Sequence, residues 1–479
     1  MNYRMICRVL GLILLALAAL LLLPLIAGLC YGERVTNFLI SIAVAALCGG
    51  LLCLPKPKTG SLVARDGFVI VGLGWLLLSA LGALPFVLSG SIPHYIDALF
   101  ETASGLSTTG ASVVTDLNAM PRGDMFWRLF THWIGGMGVL VFIMAVLPMS
   151  GEHSMHIMRA EVPGPSVGKL VPRVRRTASI LYLLYIGLTL LEMLFLLFGG
   201  MSFYDAVLHA CATAGTGGFS TNPASIGGFH STYLEIVITV FMLLFGVNFN
   251  LYYLLLLGRV KDVLKNEELR WYAGIVVISA LLLTVGIANR FDSLGEALRQ
   301  AFFNVATLIS TTGFGTVDFT AWPEYCKWIL ILLMFCGGCA GSTGGGIKLS
   351  RLMILGKSMI AELRQMVRPR SVLRVQMDGR RVENSTVKAA SVFFVLYMFL
   401  LLLFSVLVSL DGFDIATSFT AALSCLSNIG PGMTPLIGPA GSFAVFSYRT
   451  KFLLTLAMLL GRLEIYPILV LLSPRTWKR

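Results

Sequence analysis

The amino-acid sequence predicts an all-α polytopic membrane protein in which an N-terminal two-helix hairpin precedes four similar repeats. Three observations lead to this prediction: the composition, a series of uncharged stretches of membrane-spanning length, and a short motif that occurs four times. Of the 479 residues, 57% are hydrophobic and only 13% are charged, whereas soluble domains carry about 25% charged residues. Such a chain has more apolar surface than one water-soluble core can bury, so part of its surroundings must be lipid.

Membrane-spanning helices need roughly 17–25 predominantly apolar residues. Arg4 and Arg8 precede the first such stretch and resemble the start of a signal peptide, but the apolar run is long and a second one follows at once, which favours a retained hairpin. The predicted spans are Val9–Cys30, Asn37–Leu54, Gly67–Ile92, Leu129–Met149, Ile180–Gly200, Ile236–Gly258, Trp271–Asn289, Trp328–Ile347, Ala389–Leu410 and Phe452–Ser473.

Lysine and arginine are concentrated in alternate connections between these spans, and the most basic connection is Arg351–Lys388. The positive-inside rule assigns this side to the cytoplasm and places both termini there. The net charge of +12 therefore reflects topology and does not indicate a nucleic-acid groove. The cysteines lie mostly inside apolar runs, which is not the pattern of a disulfide framework.

Four semi-apolar segments, each too short to cross a bilayer, lie between consecutive spans on the sparsely charged side. Aligned without gaps, they have the same length from their opening residue to a final glycine, and chance rarely produces four such copies. The segments are Asp97–Gly110, Asp205–Gly218, Gln300–Gly313 and Thr417–Gly430.

Each segment predicts a half-helix followed by irregular backbone. Asp97 and Asp205 are placed to cap or charge the first helical turn favourably, and the glycines permit backbone angles that point successive carbonyl oxygens in one direction. Irregular backbone at membrane depth is tolerated where protein buries it or where it lines a water-filled cavity. Four half-helices that direct carbonyl oxygens at one axis would form a cation site, because carbonyls can replace the hydration shell of an ion.

The predicted architecture is thus four span–pore-helix–filter–span repeats in a pseudo-fourfold arrangement. Re-entrant loops whose glycines only permit close helix packing are the alternative interpretation. The predicted units are residues 1–60 for the hairpin, 61–160 for repeat 1, 161–265 for repeat 2, 266–375 for repeat 3 with an intramembrane gate loop, and 376–479 for repeat 4. The candidate ion-binding residues are Thr108, Thr109, Gly110, Thr216, Gly217, Gly218, Thr311, Thr312, Gly313, Asn428, Ile429 and Gly430.

A second glycine-rich run interrupts the predicted span Trp328–Ile347. Because each glycine costs a helix about 1 kcal/mol relative to alanine, this span should be broken within the membrane, where a broken helix is allowed if it lines a cavity. A small-residue face for helix packing is the alternative. The candidate gate residues of the run are Gly337, Gly338, Gly341, Ser342, Thr343, Gly344, Gly345 and Gly346.

Arg462 lies inside the last predicted span, and intramembrane charges usually face a pore or a partner. We predict that Arg462 faces the pore below the four glycine segments. Glu464 follows two residues later and would point about 200° around a continuous helix, so the two should not pair. A snorkelling arginine or an interhelical salt bridge is the alternative, and the roles of Glu192, Glu464 and Lys348 stay open.

No convergent catalytic set is evident in the sequence, so it does not favour an enzyme. Cys336 and Cys339 have the CxxC spacing, but they stand alone in an apolar context, which favours packing over a metal or redox site. A carrier with broken helices at a repeat interface remains a competing class. Carriers of that kind show two inverted halves, whereas the four repeats here share one orientation.

The four glycine segments, the run Gly337–Lys348 and the terminal Gly461–Glu464 resemble the Trk/Ktr/HKT superfamily of cation transporters, and most closely the bacterial Trk potassium-uptake membrane subunits of the TrkH/TrkG type. The resemblance covers nearly the whole chain. It implies potassium uptake across the bacterial inner membrane through a channel-like pore, with K⁺ as the transported ion. It also implies that the glycine-rich loop gates the pore and that Arg462 hinders ions until the loop moves. A sodium-permeable or ion-coupled secondary transporter is the alternative function.

In this superfamily, glycine in each of the four filter copies accompanies potassium preference, and serine in the first copy marks sodium-permeable members. The second copy departs from the other three because Gly217 adds a glycine before the filter glycine, which predicts a looser backbone in this quarter. The four filter positions are all glycine in this chain, namely Gly110, Gly218, Gly313 and Gly430.

The resemblance further implies partners. A homodimer of this chain would sit on a ring of cytosolic regulatory subunits of the TrkA-like type, with Rossmann-type folds that bind NAD(H) or ATP/ADP. The chain contains no nucleotide-binding domain of its own, so the nucleotide is expected on the partner only. The basic segment Arg351–Lys388 is the expected docking surface, with positive-inside charge alone as the alternative.

Overall fold

The computed structural model describes residues 1–55, 63–138, 174–369 and 374–477. The chain begins with a hairpin whose first arm is slightly broken at Leu21, and each later repeat has an outer helix, a half-helix and an inner helix. Hairpin helices α1 to α3 are Tyr3–Leu20, Leu22–Cys30 and Thr36–Cys53. The outer helices 1 to 4 are Ala64–Gly82, which Leu84–Ser89 continues, Val174–Phe198, Glu267–Ile287 and Asn384–Ser409.

The half-helices stop within the molecule, as the repeated motif predicts. Half-helices 1 to 4 are Tyr95–Leu106, Phe203–Gly215, Leu294–Ile309 and Ile415–Ser427. Asp97 and Asp205 lie in the first turns of half-helices 1 and 2, as predicted. Half-helix 3 begins six residues before its aligned segment, about one turn earlier than the other three half-helices do, because Ser293 caps its N-terminus.

Inner helices 2 to 4 are interrupted, whereas the continuation of inner helix 1 lies outside the described residues. Inner helices 1 to 4 begin with Arg122–Gly136, Thr232–Phe245, Glu324–Phe335 and Tyr448–Arg462. After the break, inner helices 2 to 4 resume as Phe249–Leu256, Leu349–Val367 and Tyr466–Leu472. Short helices at Val260–Lys265 and Pro474–Trp477 and single 3₁₀ turns at Ser225–Phe229, Ala288–Arg290, Phe319–Ala321 and Phe443–Val445 complete the helical elements described.

Two small two-stranded sheets interrupt this helical architecture. Cys336–Gly337 (β1) pairs in parallel with Ile347–Lys348 (β2), which closes the base of the glycine-rich loop. Gln376–Met377 (β3) pairs antiparallel with Arg380–Arg381 (β4) in the connection before outer helix 4.

The breaks correct the prediction of ten continuous spans. Among the described residues, six helices are long and apolar enough to cross a membrane, and a seventh if the two parts of inner helix 2, bent by 92°, count as one span. The predicted spans Ile236–Gly258 and Phe452–Ser473 are therefore not single helices, and Trp328–Ile347 is broken as its glycines predict. The predicted span Leu129–Met149 continues past residue 138, outside the described residues, as do the predicted unit boundaries at 60 and 160.

Each break has a local cause. In inner helix 2, Asn248 caps the second part by accepting a hydrogen bond from the backbone N–H of Asn250, which starts a new helix in a new direction. In inner helix 4, Glu464 and Ile465 have φ values of +52° and +71°, and left-handed residues cannot continue a right-handed helix.

The helices form a closed ring around the half-helices. Each half-helix packs against the outer and inner helices of its own repeat and against the inner helix of the preceding repeat, and inner helix 4 packs against half-helix 1. Large apolar side chains on the outer helices face outward, including Leu183, Val285 and Val395, which are 71%, 79% and 67% exposed. Such an apolar exterior suits lipid and not water. The protein is therefore a multi-pass membrane protein with pseudo-fourfold internal symmetry.

Candidate functional site

The four predicted filter segments end in the same backbone conformation. We call them filter quarters 1 to 4, each comprising the last three residues before and including the final glycine. Their first residues lie in the left-handed region, with φ of +59°, +55°, +61° and +57° at Thr108, Thr216, Thr311 and Asn428. This conformation is uncommon for any side chain and is strained for threonine, which is β-branched. Strain repeated at four equivalent positions indicates a functional requirement.

A hydrogen bond common to all four quarters produces this turn. The backbone N–H of the residue before each final glycine donates to the carbonyl oxygen five residues earlier, at the end of the half-helix. The four bonds run from Thr109 to Ser104 (2.8 Å), Gly217 to Ala212 (2.9 Å), Thr312 to Thr307 (2.8 Å) and Ile429 to Ser424 (3.0 Å). The helix is thus terminated in the same way four times, and the chain turns away from its axis.

The four quarters close into a ring through their carbonyl groups. A Cβ placed on each final glycine would approach the carbonyl oxygen of the next quarter's middle residue. The distances would be 2.0 Å from Gly110 to Gly217, 2.1 Å from Gly218 to Thr312, 1.9 Å from Gly313 to Ile429 and 2.8 Å from Gly430 to Thr109. The order 1, 2, 3, 4 and back to 1 is the order of a closed ring.

Glycine is required at these four positions for two reasons. The final glycines have φ between +77° and +102°, a range that L side chains avoid. In addition, a Cβ would lie too close to the neighbouring carbonyl in all four quarters, with the smallest overlap at Gly430. The ring therefore places several backbone oxygens close together, and such oxygens are the ligands that a dehydrated alkali cation needs.

Side chains also tie the quarters together. Asn428 Nδ2 donates to Thr109 Oγ1 at 2.9 Å, joining quarter 4 to quarter 1. His132 of inner helix 1 accepts a hydrogen bond from the backbone N–H of Phe219, directly after quarter 2. Its ring fills the space beside Gly217, where a Cβ would lie 2.1 Å from His132 Cγ. An imidazole thus packs where the side chain of quarter 2 is missing, while the looser backbone expected from Gly217 stays a prediction.

The glycine-rich loop lies directly beneath quarters 3 and 4. The backbone N–H of Gly345 donates to Thr311 Oγ1 at 2.7 Å, and a Cβ on Gly345 would lie 2.5 Å from the carbonyl oxygen of Ser427, the last residue of half-helix 4. The loop also enters the break of inner helix 2, where the Cys339 N–H donates to the Gly246 carbonyl at 2.9 Å. The loop therefore bridges the filter and an inner helix.

Two buried ionisable side chains hold the loop in this shape. Lys348, which is 1% exposed, donates from Nζ to the carbonyl oxygen of Gly344 across the loop. Glu268 of outer helix 3 accepts hydrogen bonds through Oε1 from the N–H groups of Ala340 (2.8 Å) and Ser350 (3.0 Å). These hydrogen bonds of Lys348 and Glu268 fix the middle and both ends of the loop.

Arg462 lies at the end of the first part of inner helix 4, and it is 8% exposed. Its guanidinium donates to the carbonyl oxygens of Gly135 (2.5 Å) and Gly136 (2.6 Å) at the end of inner helix 1. It also donates to the carbonyl oxygen of Thr343 in the loop at 2.8 Å. One side chain thus joins repeat 4, repeat 1 and the loop of repeat 3 below the filter.

The direction of the Glu464 side chain is not set by a continuous helix, which the sequence led us to expect, because the helix ends at Arg462. Its carboxylate forms a bidentate ion pair with Arg351 of inner helix 3, with N–O distances of 2.6 and 2.9 Å. The carboxylate of Glu464 therefore binds inner helix 3, whereas the guanidinium of Arg462 binds backbone carbonyls of inner helix 1 and of the loop. Glu192, whose role the sequence left open, is fully buried in outer helix 2 near Thr213 of half-helix 2.

A buried ion pair above quarter 2 was missed by sequence reasoning. Arg128 Nε contacts Glu101 Oε1 at 2.6 Å, and both side chains are at most 3% exposed. Arg128 also donates to the carbonyl oxygen of Ser220 at 3.1 Å, so it connects repeat 1 with the segment that follows quarter 2. Arg128 directly precedes the predicted span Leu129–Met149, so that span leaves it in a connection, whereas the structure places it inside inner helix 1.

These features together define a class: a multi-pass membrane protein in which one chain surrounds a central carbonyl ring with four re-entrant half-helices. Comparison with known proteins agrees with this class. Residues 34–479 match the TrkH family model, described as a cation transport protein. The chain belongs to the TrkH family.

The similarity to individual members extends over the full length. The chain is 37% identical over 487 residues to the Trk system potassium uptake protein TrkH of Escherichia coli (strain K12), with 100% of both chains covered. It is 33% identical over 485 residues to TrkG of the same organism, covering 100% of this chain and 99% of that one. The crystal structure of the potassium transporter TrkH from Vibrio parahaemolyticus superposes with a TM-score of 0.89 at 32% identity over 100% of both chains.

Proposed function

We propose that this chain takes up potassium across the bacterial inner membrane by conducting K⁺ through its four-quarter filter. The observation that carries the proposal is the closed carbonyl ring, in which each final glycine of quarters 1 to 3 leaves no room for a Cβ beside the next quarter's carbonyl. Backbone carbonyls at such spacing can replace the hydration shell of an alkali cation. Similarity to proteins named as potassium uptake proteins supports K⁺ as the transported ion.

The glycine-rich loop and Arg462 form the gate in this proposal. The loop closes the conduit below quarters 3 and 4, and Arg462 adds a fixed positive charge on the same route. A cation in a low-dielectric conduit is repelled strongly by such a charge. The Arg462 guanidinium donates to the Thr343 carbonyl of the loop, and the Gly345 N–H of the loop donates to Thr311 Oγ1. Neither bond involves a filter glycine, so both obstacles can be displaced without altering those glycines.

We expect purified protein in liposomes to take up radioactive rubidium, a potassium analogue, down its gradient. Unlabelled potassium should suppress the uptake, and an equal concentration of sodium should suppress it far less, because the carbonyl ring favours the larger ion. Empty liposomes and protein-containing liposomes without a gradient are the controls. Equal competition by sodium and potassium would favour the sodium-permeable alternative, and sodium-dependent uphill uptake would favour the ion-coupled one.

The proposal includes a homodimer of this chain docked on a cytosolic nucleotide-binding subunit, with both termini cytoplasmic. Basic side chains at the end of inner helix 3 and in the following β-hairpin are exposed, and they are Arg364, Arg368, Arg374, Arg380 and Arg381. Arg351 is excluded from this surface because it is 8% exposed and is paired with Glu464. Residues 370–373 of the predicted docking segment lie outside the described residues.

Reversing the charge of this basic surface is expected to weaken docking of the cytosolic subunit. A variant with Arg364, Arg380 and Arg381 changed to glutamate should bind the Rossmann-type subunit from the same host at least about tenfold more weakly, since facing charges of one sign repel. Binding can be measured in detergent by surface plasmon resonance at two salt concentrations, together with the nucleotide dependence of conductance. Arg449→Glu, an exposed change at the opposite end of the molecule, is the matched control. Unchanged binding of the triple variant would assign these charges to topology alone.

A further inference from the structure

Quarter 2 is built differently from quarters 1 and 3. In those two quarters, a hydroxyl pair supports the turn, with Oγ–Oγ1 distances of 2.7 Å between Ser107 and Thr109 and 2.7 Å between Ser310 and Thr312. The aligned positions in quarter 2 are Gly215 and Gly217. Neither glycine has a φ in the left-handed range, so backbone conformation does not explain why both side chains are missing.

Inner helix 1 explains both glycines, because the backbone of His132 excludes a side chain at Gly215 and its imidazole excludes one at Gly217. A Cβ on Gly215 would lie 2.2 Å from the carbonyl oxygen of His132, and a Cβ on Gly217 would lie 2.1 Å from Cγ and 2.2 Å from Nδ1 of its ring. His132 is fully buried in inner helix 1. A residue of repeat 1 therefore occupies the volume that the side chains of quarter 2 would need.

Both ring nitrogens of His132 are engaged. Nδ1 lies 2.8 Å from the carbonyl oxygen of Gly105 in half-helix 1, and Nε2 lies 3.2 Å from the backbone nitrogen of Phe219. A carbonyl can only accept and a backbone N–H can only donate, so Nδ1 carries the proton and Nε2 accepts. The ring also packs on the Phe219 ring at a centroid distance of 4.3 Å.

We propose that His132 is a positioning residue for quarter 2, acting in place of the hydroxyl pair of quarters 1 and 3, and that it contributes to ion selectivity. Phe219 directly follows Gly218, so the bond from its N–H fixes the chain at the exit of the quarter. The bond to Gly105 anchors His132 to half-helix 1. Selectivity then depends on a contact between two repeats, and this role rests on the proposed function of the filter.

The test is a double-mutant cycle between His132 and Gly217. His132→Ala removes the support. It should lower the selectivity ratio, which is the potency of potassium over that of sodium in suppressing rubidium uptake, by about tenfold. Coupling free energies between residues in one packed network reach this size. Gly217→Thr alone should also lower the ratio, because the new side chain collides with the ring. Combining the two should recover part of the loss, so that the double variant discriminates better than either single one. His132→Gln, which keeps one donor and one acceptor, should lose less than His132→Ala.

Two controls separate this role from the proposed function. His94→Ala changes an exposed histidine before half-helix 1 and should leave the ratio unchanged. The thermal midpoints of all variants, measured by size-exclusion chromatography after heating, test the contact between His132 and Gly217 independently of any transport assay. If the wild type does not discriminate potassium from sodium, the proposed filter function fails, while non-additive thermal midpoints would still establish the contact. If the wild type discriminates but folded His132→Ala keeps its ratio, or the two changes are additive in both readouts, the positioning role is overturned.

Discussion

Serine at Gly110 or at Gly313 is expected to raise sodium permeability relative to potassium. A Cβ at these positions would lie 2.0 and 1.9 Å from the carbonyl oxygens of Gly217 and Ile429, so the ring must widen or turn its carbonyls away. A widened ring no longer matches the coordination that potassium prefers. We expect the permeability ratio to change by about tenfold or more, since even ~1.4 kcal/mol of differential binding corresponds to that factor.

Competition of sodium with rubidium uptake measures the effect, and two comparisons isolate its cause. Gly412→Ser introduces a side chain at φ +85°, the same value as at Gly313, but it meets nothing within 4 Å. It carries only the left-handed strain of about 1–2 kcal/mol. Gly430→Ala should have a weaker effect than Gly313→Ala, because its Cβ would lie 2.8 Å from the nearest carbonyl oxygen and the Cβ at Gly313 only 1.9 Å. Unchanged ratios in folded Gly110→Ser and Gly313→Ser would contradict the assignment of the filter.

Deletion of Gly344 to Gly346 is expected to raise the basal ion flux. It removes the N–H that binds Thr311 Oγ1 and the carbonyl that binds Lys348, so the shortened loop cannot reach across the conduit below the filter. Arg462→Ala should also raise the flux, by about tenfold for each ~1.4 kcal/mol taken from the barrier. Rubidium uptake in liposomes without the cytosolic partner measures both.

The effects of the loop deletion and of Arg462→Ala on the flux should not be additive, because Arg462 holds the loop through the carbonyl of Thr343. Arg449→Ala removes an exposed arginine from the other end of the same helix and is the matched control. Flux at or below the wild-type level in both variants, at equal expression and with the fold intact, would assign the loop and Arg462 a purely structural role.

Local patterns in the sequence predicted most of this architecture. The four aligned segments predicted the half-helices, because the position of the final glycine and the apolar turns before it are encoded within each segment. The glycine run predicted the break of inner helix 3 for the same reason. The break of inner helix 2 at Gly246 and Asn248 was missed, since apolar residues continue on both sides and only Asn248, a residue that favours helix N-termini, marks it.

Contacts between repeats could not be predicted. Arg351 and Glu464 are 113 residues apart, and Arg462 binds carbonyl oxygens of Gly135 and Gly136 more than 300 residues away. Backbone carbonyls have no signature in the sequence, so a buried arginine that binds them shows only as an unexplained charge. The pair of glycines at 215 and 217 was visible, but the residue that fills their place lies in another repeat.

The interrupted inner helices also bear on how the chain enters the membrane during synthesis. In the described part of the chain, the long apolar helices are the hairpin and the outer helices, and these can partition into lipid one at a time as they leave the ribosome. Arg462 cannot do so cheaply, since an arginine at mid-membrane costs about 2.5–3.5 kcal/mol on insertion. Its acceptors, the carbonyls of Gly135 and Gly136, are synthesised long before it. The last inner helix is therefore the element that brings Arg462 to these carbonyls, and with it the ring of helices is completed.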